Sequence, residues 1–384
     1  MIDFEIKPYP GEDEIAFIKR KAYYHRLIVP RLKYCKAVIQ DKLVSAIPLT
    51  KTEREEIDAF WAPYMAPEVR DRLVDYRYYE VFKGTLKEGE RLCDYIPDSF
   101  FYLFIDEYFA NPQHSYPFDD KNLYDLYFND IHRPTTVFRK VKDLLLDCDY
   151  NELTFEQVLA KVRDCGEVIL KVAKFSSGGH GIFFWNAEKN TENELKDFLQ
   201  KNVFVVCQEI IKQHPILVEL NPTSLNTLRL MTFIFKGKLY MPSNAIRFGH
   251  YGQKTDNINS GGLACGLELD GRFKDIAYDI EARPYNCHLG NGKPFREYKI
   301  PNFDQCVDIV TKLAKRFYMF SKLISWDIAI DEEGRPMIIE FNLSSGINFH
   351  QVCNGPLFGD LTEEVLKDVF ENSYTLKSII KSIN

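Results

Sequence analysis

Near the C-terminal end of the chain, SWDIAIDEEGRPMIIEFN reads as two alternating runs separated by a polar, glycine-bearing turn, the pattern of a β-hairpin. With EEGR as the loop and Asp331 paired with Pro336, antiparallel counting sets Asp327 opposite Glu340. Successive side chains in a strand point to opposite faces. One face then carries Trp326, Ile328, Ile330, Met337, Ile339 and Phe341, and the other Asp327, Glu340 and Asn342. The first face is expected in a core, whereas the second gathers oxygens.

Two carboxylates opposed across a hairpin repel unless positive charge lies between them. A divalent cation meets that need, and Mg2+ is commonly held by one or two carboxylates together with substrate phosphates and water. The set therefore predicts half of a magnesium site that a nucleotide completes. The alternative is a solvated hairpin face with no ion.

At 384 residues the chain is too long for one small domain, and two or three lobes are expected. It is 45% hydrophobic and 27% charged, as ordinary globular proteins are. A formal net charge of -7 argues against broad binding to nucleic acid or an anionic membrane, since both need a positive footprint. The start, MIDFEIKPYPGEDEIAFIKRK, lacks the basic-then-apolar signal pattern, and no uncharged apolar run reaches the roughly 18 residues of a membrane span. A cytoplasmic protein without a membrane span is expected. The 9 cysteines are scattered, odd in number and without a CxxC pair, so neither a disulfide framework nor a zinc site is predicted.

Residues 1–115 carry helical patterning and many aromatics, with a capping box predicted at Thr52 to Glu55. No chemical motif stands out there, and the segment reads as a helical accessory lobe ending near the turn-rich NPQHSYPFDD. Residues 116–207 form an α/β pattern: a capping box at Thr154 to Gln157, the strand EVILKV, a glycine loop, the strand IFFW, a second box at Thr191 to Glu194, and the strand VFVVCQEII. Residues 208–384 are strand-rich up to Asp270-Gly271. An amphipathic helix through Cys306, Val310, Leu313 and Phe317 follows, then the hairpin and a closing helix near Thr362.

Lys171 lies on the strand that leads into Ser176, Ser177, Gly178, Gly179, His180 and Gly181. Glycines let backbone amides approach a ligand, and successive N–H groups in such a loop make an anion nest suited to a polyphosphate. The loop is not a Walker A motif, which needs GxxxxGK[ST] before a helix. It is not that of a protein kinase either, since the lysine precedes the loop and HRD and DFG are lacking.

A strand lysine before a glycine-rich loop, followed by a D…E-x-N set on late strands, resembles the ATP-grasp superfamily over roughly residues 117 to 360. DDKNLYDLYF, PTSLNTLR, AIRFGHYGQKTDNINSGGLACG and GINFHQ are most similar to the sugar-transfer associated ATP-grasp proteins. The resemblance implies an α+β fold in which two α+β lobes clamp ATP, beside the N-terminal helical accessory lobe. It implies ATP and Mg2+ as cofactors. By it, Lys121, Lys171 and the loop Ser176 to Gly181 hold phosphates. Gln208, Glu209, Ile210 and Ile211 read adenine, and Asp327, Glu340 and Asn342 hold magnesium. Arg229 and Arg247 face the phosphates and the reacting acid. Asn257, Asn259, Gly261 and Gly262 match the family's R…N…GG run. Two departures stand out: His180 occupies a place where many relatives carry lysine or arginine, and Val172-Ala173 replaces a frequent proline.

Most ATP-grasp proteins are ADP-forming ligases, so the resemblance implies a carboxylate that attacks the γ-phosphate and an amine that opens the acylphosphate. Arg229, Arg247 and Lys171 are then catalytic. Arg247, Asn257, Asn259, Gly261, Gly262, Asn348, His350 and Gln351 are candidates to contact the substrates. His250, His288 and His350 are candidate bases. The expected partners are a small-molecule carboxylate and an amine. The sugar-transfer label implies a sugar acid joined to an amino acid or amine in polysaccharide biosynthesis, and ligation of small amino acids fits as well. A phosphotransferase and a non-catalytic nucleotide-binding module are the alternatives. The oligomeric state is not legible in the sequence.

Overall fold

The hairpin forms, and it closes one edge of a wide antiparallel sheet. The computed structural model describes residues 8, 11–23, 25–26, 29–110, 116–174, 181–249 and 252–383. Among them, strands β1 (Thr136–Val141), β2 (Leu144–Leu146), β3 (Glu152–Leu153), β4 (Glu167–Val172), β5 (Ile182–Asn186) and β6 (Phe204–Glu209) form a sheet ordered β3-β2-β1-β6-β4-β5. A larger sheet has β7 (Thr227–Phe235), β8 (Lys238–Phe248), β9 (Leu263–Leu267), β10 (Phe273–Tyr278), β11 (Pro284–Tyr285), β12 (Leu323–Ile330) and β13 (Pro336–Asn342), ordered β11-β10-β9-β8-β7-β12-β13. Every pairing in both is antiparallel.

The hairpin register departs from simple counting in one respect. The Asp331 carboxylate accepts the N–H groups of Glu333 and Arg335, which tightens the turn and pairs Ile330, not Asp331, with Pro336. Asp327 still pairs with Glu340, so one extra residue on β13 is taken up by an irregularity in the ladder. A one-residue slip moves side chains to the opposite face. Ile338 therefore takes the core place expected for Ile339, beside Trp326, Ile328, Ile330 and Phe341, while Ile339 lines a cavity with Glu340.

β12 is buried at every position and β7 at all but one, because both faces of the larger sheet are covered. On one face, Leu228, Leu230, Trp326 and Ile328 pack on the helix Phe303–Phe317, whose Cys306, Val310, Leu313 and Phe317 recur at helical spacing. Trp326 stacks on Phe341 at 5.7 Å, and its indole N–H donates to Thr232 Oγ1 at 2.8 Å. Truncating a buried tryptophan of this kind costs about 3–5 kcal/mol. On the other face, Met231, Phe233 and Phe235 meet Phe109 and Phe358. The same core takes in Trp61, Tyr79, Phe82 and Phe100 from the N-terminal helices and Val365, Leu366 and Val369 from the helix Thr362–Asn372.

The capping boxes at Thr154 and Thr191 form as expected. The first box lies two residues upstream of the expected place: Thr50 caps the helix Lys51–Trp61. Thr50 Oγ1 accepts Glu53 N–H while the Glu53 carboxylate accepts Thr50 N–H, a reciprocity that needs glutamate at the third helical position.

Candidate active site

Pairing across the larger sheet aligns Ala245 on β8, Arg229 on β7, Asp327 on β12 and Glu340 on β13 in one row. The strand period puts Arg229 on the same face as Met231 and Phe233, so this row faces the N-terminal helices. A cavity of about 760 Å³ opens over it. Lys121, Ile169, Lys171, Ile182, Phe184 and Gln208 supply the wall on the side of the smaller sheet.

Arg229 grips Asp327 with a fork: Nη2 donates to Oδ2 at 3.0 Å, and Nε donates to Oδ1. Arg247 Nη2 donates to the same Oδ2 at 3.0 Å and to Thr227 Oγ1 at 2.8 Å, and lies 3.5 Å from Asp256. Burial pushes the Asp327 carboxyl up, but the two guanidiniums more than offset it, and its pKa lies below the usual carboxylate range. Burial raises the Asp256 carboxyl, with Arg247 opposing.

Lys121 Nζ lies 2.9 Å from Glu340 Oε1. Its backbone N–H donates to Ala173 O, which fastens this lysine beside the end of β4. Lys171 Nζ donates to Gln208 Oε1 at 3.0 Å. Desolvation, with Lys121 as a second cation nearby, holds the Lys171 ammonium down to about 8. Gly181 turns the chain into β5 at φ +75°, and a Cβ there would strike Val172 Cγ2 at 2.6 Å, so only glycine fits. Ser176, Ser177, Gly178, Gly179 and His180, like His250, lie outside the described residues.

Of the other candidates, Glu209, Ile210, Ile211, Asn257, Asn259, Asn342 and Asn348 line the cavity. Gly261 and Gly262 stand off the wall and close the turn beneath it: Gly261 adopts φ +92°, and Gly262 N–H donates to Asn257 O. His350 and Gln351 lie behind the wall. The His350 ring meets Ser243 Oγ at 2.6 Å, and burial with two nearby arginines keeps its pKa well below the usual value. Gln351 ties the helix Asn348–Asn354 to the N-terminal segment by donating to Ile96 O and accepting Ile96 N–H. His288 is buried against Leu220 O.

Several polar atoms around the row are buried without partners: Arg247 Nε, Asn342 Nδ2, Ser325 Oγ, both amide atoms of Asn348 and His350 Nε2. Such atoms are rare in folded proteins, and each calls for an explanation such as strain, a catalytic role, water or an ion. Sequence reading missed Thr227, Asp256 and Ser345, whose only signal was proximity to the motifs. It also missed Tyr34, Lys42, Asp98 and Tyr102, which line the far end of the cavity.

Two sheets bordering one cavity, with lysines on one side and an arginine–carboxylate row on the other, form the framework of an ATP-grasp protein. Residues 107–367 match the profile of the sugar-transfer associated ATP-grasp family, and the chain belongs to that family. No curated protein matches the sequence. Similar solved structures include D-alanyl-alanine synthetase A from Vibrio cholerae, at 13% identity and TM-score 0.42, covering 69% of this chain and 68% of that one. D-alanine–D-alanine ligase from Bacillus anthracis follows at 15% identity and TM-score 0.38, covering 71% and 72%. Biotin carboxylase from Campylobacter jejuni has 12% identity and TM-score 0.42, covering 66% of this chain and 46% of that one.

Proposed function

We propose that the protein is an ATP-dependent, ADP-forming carboxylate–amine ligase that joins an amino acid or amine to a sugar acid or other small carboxylate in glycan biosynthesis. The row Arg229–Asp327–Glu340, with Arg247 beside it and Lys121 and Lys171 opposite, carries this reading. It concentrates cations in a protein of net charge -7, where a polyphosphate and a carboxylate must meet. The family description supports sugar chemistry, and a cytoplasmic reaction belongs to this reading. In this reading residues 116–207 and 208–384 close on the nucleotide, and residues 1–115 border the cavity's far end.

The donor set fits magnesium. Glu340, Asn342 and Asp327 offer hard oxygens, and no hydrogen bond to a protein group holds the buried Asn342 Nδ2. Glu340 and Asn342, the more open of the three, would hold the ion with Asp327 behind them. Bound there, Mg2+ would screen phosphate charge during phosphoryl transfer.

Lys121 and Lys171 hold the phosphates, and the apolar wall of Ile169, Ile182 and Phe184 beside Gln208 to Ile211 takes the base. Arg247, fixed by Asp327 and Thr227, orients the substrate carboxylate for in-line attack. A carboxylate oxygen bonds to the γ-phosphorus as the bond to the bridging oxygen breaks and ADP leaves. The amine nitrogen then bonds to the acyl carbon, inorganic phosphate departs with its oxygen, and the amine loses a proton. Arg229 and Arg247 supply the countercharge in both steps.

Pairs of sugar acids or small carboxylates with amines, incubated with Mg2+ and ATP, test the reading through ADP release. Release that requires both partners, and an acyl hydroxamate when hydroxylamine replaces the amine, is the expected result, with Asp327→Asn as the blank. A stable phosphorylated product formed without any amine would overturn the ligase in favour of a phosphotransferase.

A further inference from the structure

The family match begins at residue 107, yet the cavity continues into the helices before it. Tyr34, Lys42, Asp98 and Tyr102 line that end, with Lys42 and Asp98 each only 4% exposed. Asp98, Tyr102 and Asp106 stand four residues apart in a helical run with a π turn at Phe101–Ile105. All three engage the loop that follows the hairpin. Asp98 accepts the Ile347 N–H, the Tyr102 hydroxyl abuts Gly346, and Asp106 accepts from Ser344 Oγ. Ser345, in the same loop, accepts from Arg229 Nη1 at 3.1 Å. One loop thus joins this end of the cavity to the arginine row.

Asp98 uses one oxygen on Ile347, while Oδ1 is buried with no hydrogen-bond partner. Burial pushes its carboxyl up to about 6, with Lys42 holding it down, and Oδ1 is left as an unused oxygen. An interior carboxylate oxygen left unpaired is costly, and a charged donor from a ligand relieves that cost. The rings of Tyr34 and Tyr102 beside it suit a cation as well. A purely cationic amine would be repelled by Lys42 and a purely anionic ligand by Asp98, whereas a molecule carrying both charges satisfies each.

We propose that this end of the cavity is the amine-substrate subsite and that it selects an α-amino acid, with its ammonium on Asp98 and its carboxylate toward Lys42. The chemical fate of that amine rests on the ligase reading; its binding does not. Nothing in the family-matched segment supplies these four residues, so the N-terminal helices set acceptor specificity.

Isothermal titration of the full chain, saturated with Mg2+ and the ATP analogue AMP-PNP, against the standard α-amino acids and their carboxamide and N-acetyl derivatives tests the subsite. At least one free amino acid binds, and its two blocked forms bind about tenfold or more weakly, the loss expected for one charged hydrogen bond. Asp98→Asn weakens the amino acid by a similar factor and leaves AMP-PNP affinity unchanged. Tyr34→Ala, which removes a ring that is 58% exposed and outside any core, also weakens it and decides the matter should the buried variant fail to fold. AMP-PNP binding without any amino-acid binding, or wild-type amino-acid affinity in folded Asp98→Asn or in Tyr34→Ala, would overturn the subsite. Amino-acid binding with no ADP release for any acid would instead overturn the ligase reading and leave the subsite standing.

Discussion

Arg229 and Asp327 are direct partners across β7 and β12, and the guanidinium closes over both carboxylate oxygens. Arg247 then shares Oδ2 from the next strand but one. One carboxylate therefore balances two buried cations, and Glu340, the next residue in the row, is balanced by Lys121 from the opposite wall. Each anion of the row is already matched to a side chain that would face phosphate.

Removing Asp327 leaves two guanidiniums buried without their common counterion. Asp327→Ala should lose about 3–5 kcal/mol of unfolding free energy, the cost typical of breaking a buried ion pair on one side. The depressed pKa of Asp327 means that its stabilisation is fully present above the unfolded carboxylate value and is lost as pH falls through the lower folded value. Urea unfolding at pH 7 and near pH 3 checks both points: the penalty of the alanine variant should shrink at the acid end. Equal stability of the two proteins at pH 7 would show that the cluster is not the unit described here.

Lys171 titrates at about 8 in the folded chain against about 10.4 when unfolded, because desolvation and Lys121 disfavour its charge. Between those values the unfolded chain binds the extra proton, so stability rises with pH in that window. Nucleotide affinity runs the other way, since phosphate needs the ammonium. AMP-PNP binding should weaken as pH climbs above about 8 in the wild type. It should be weak and flatter in Lys171→Met, and Lys171→Arg should retain more of it at high pH. A pH-independent affinity in the wild type would remove Lys171 from the phosphate site.

Much of the framework was legible because it is written in short-range rules. Glu167–Val172 and the capping boxes at Thr154 and Thr191 follow from strand and cap chemistry that act within a few residues. The pairing of Asp327 with Glu340 agrees with the count along the hairpin only because the irregularity in β13 offsets the one-residue shift at the turn. What failed to show was the turn at Asp331, whose carboxylate shortens the loop and moves Ile339 to the cavity side. The far end of the cavity was hidden for a different reason. Lys42, Asp98 and Ser344 to Ile347 are brought together only by packing of the N-terminal helices on the large sheet, and no local pattern encodes that contact.

Glu340 sits between a lysine and the expected ion position. Glu340→Gln removes one negative charge and the lysine's counterion together. Apparent Mg2+ affinity in the presence of AMP-PNP should then fall by about tenfold, the loss of one charged ligand. Metal-free AMP-PNP should bind no more weakly than to the wild type, because Lys121 is released toward phosphate. A parallel loss of both would mark Glu340 as a structural partner of Lys121 rather than a metal ligand.

Gly346 and Tyr102 hold the loop and the N-terminal helix in register. A Cβ at residue 346 would lie 2.7 Å from the Tyr102 hydroxyl, closer than real Cβ contacts come, so the half-buried Tyr102 ring, which packs against the core, has to shift to admit it. Gly346→Ala should cost about 1–3 kcal/mol, the usual penalty for overpacking. Because Ser345 in this loop accepts from Arg229, the same change should also slow ADP release. Tyr102→Phe deletes the obstructing oxygen, so the double variant should recover most of both losses, and a thermal-melt double-mutant cycle reads the coupling directly. Simple additivity of the two single changes would show that the loop does not rest on Tyr102, and with it would go the link between the N-terminal helices and the arginine row.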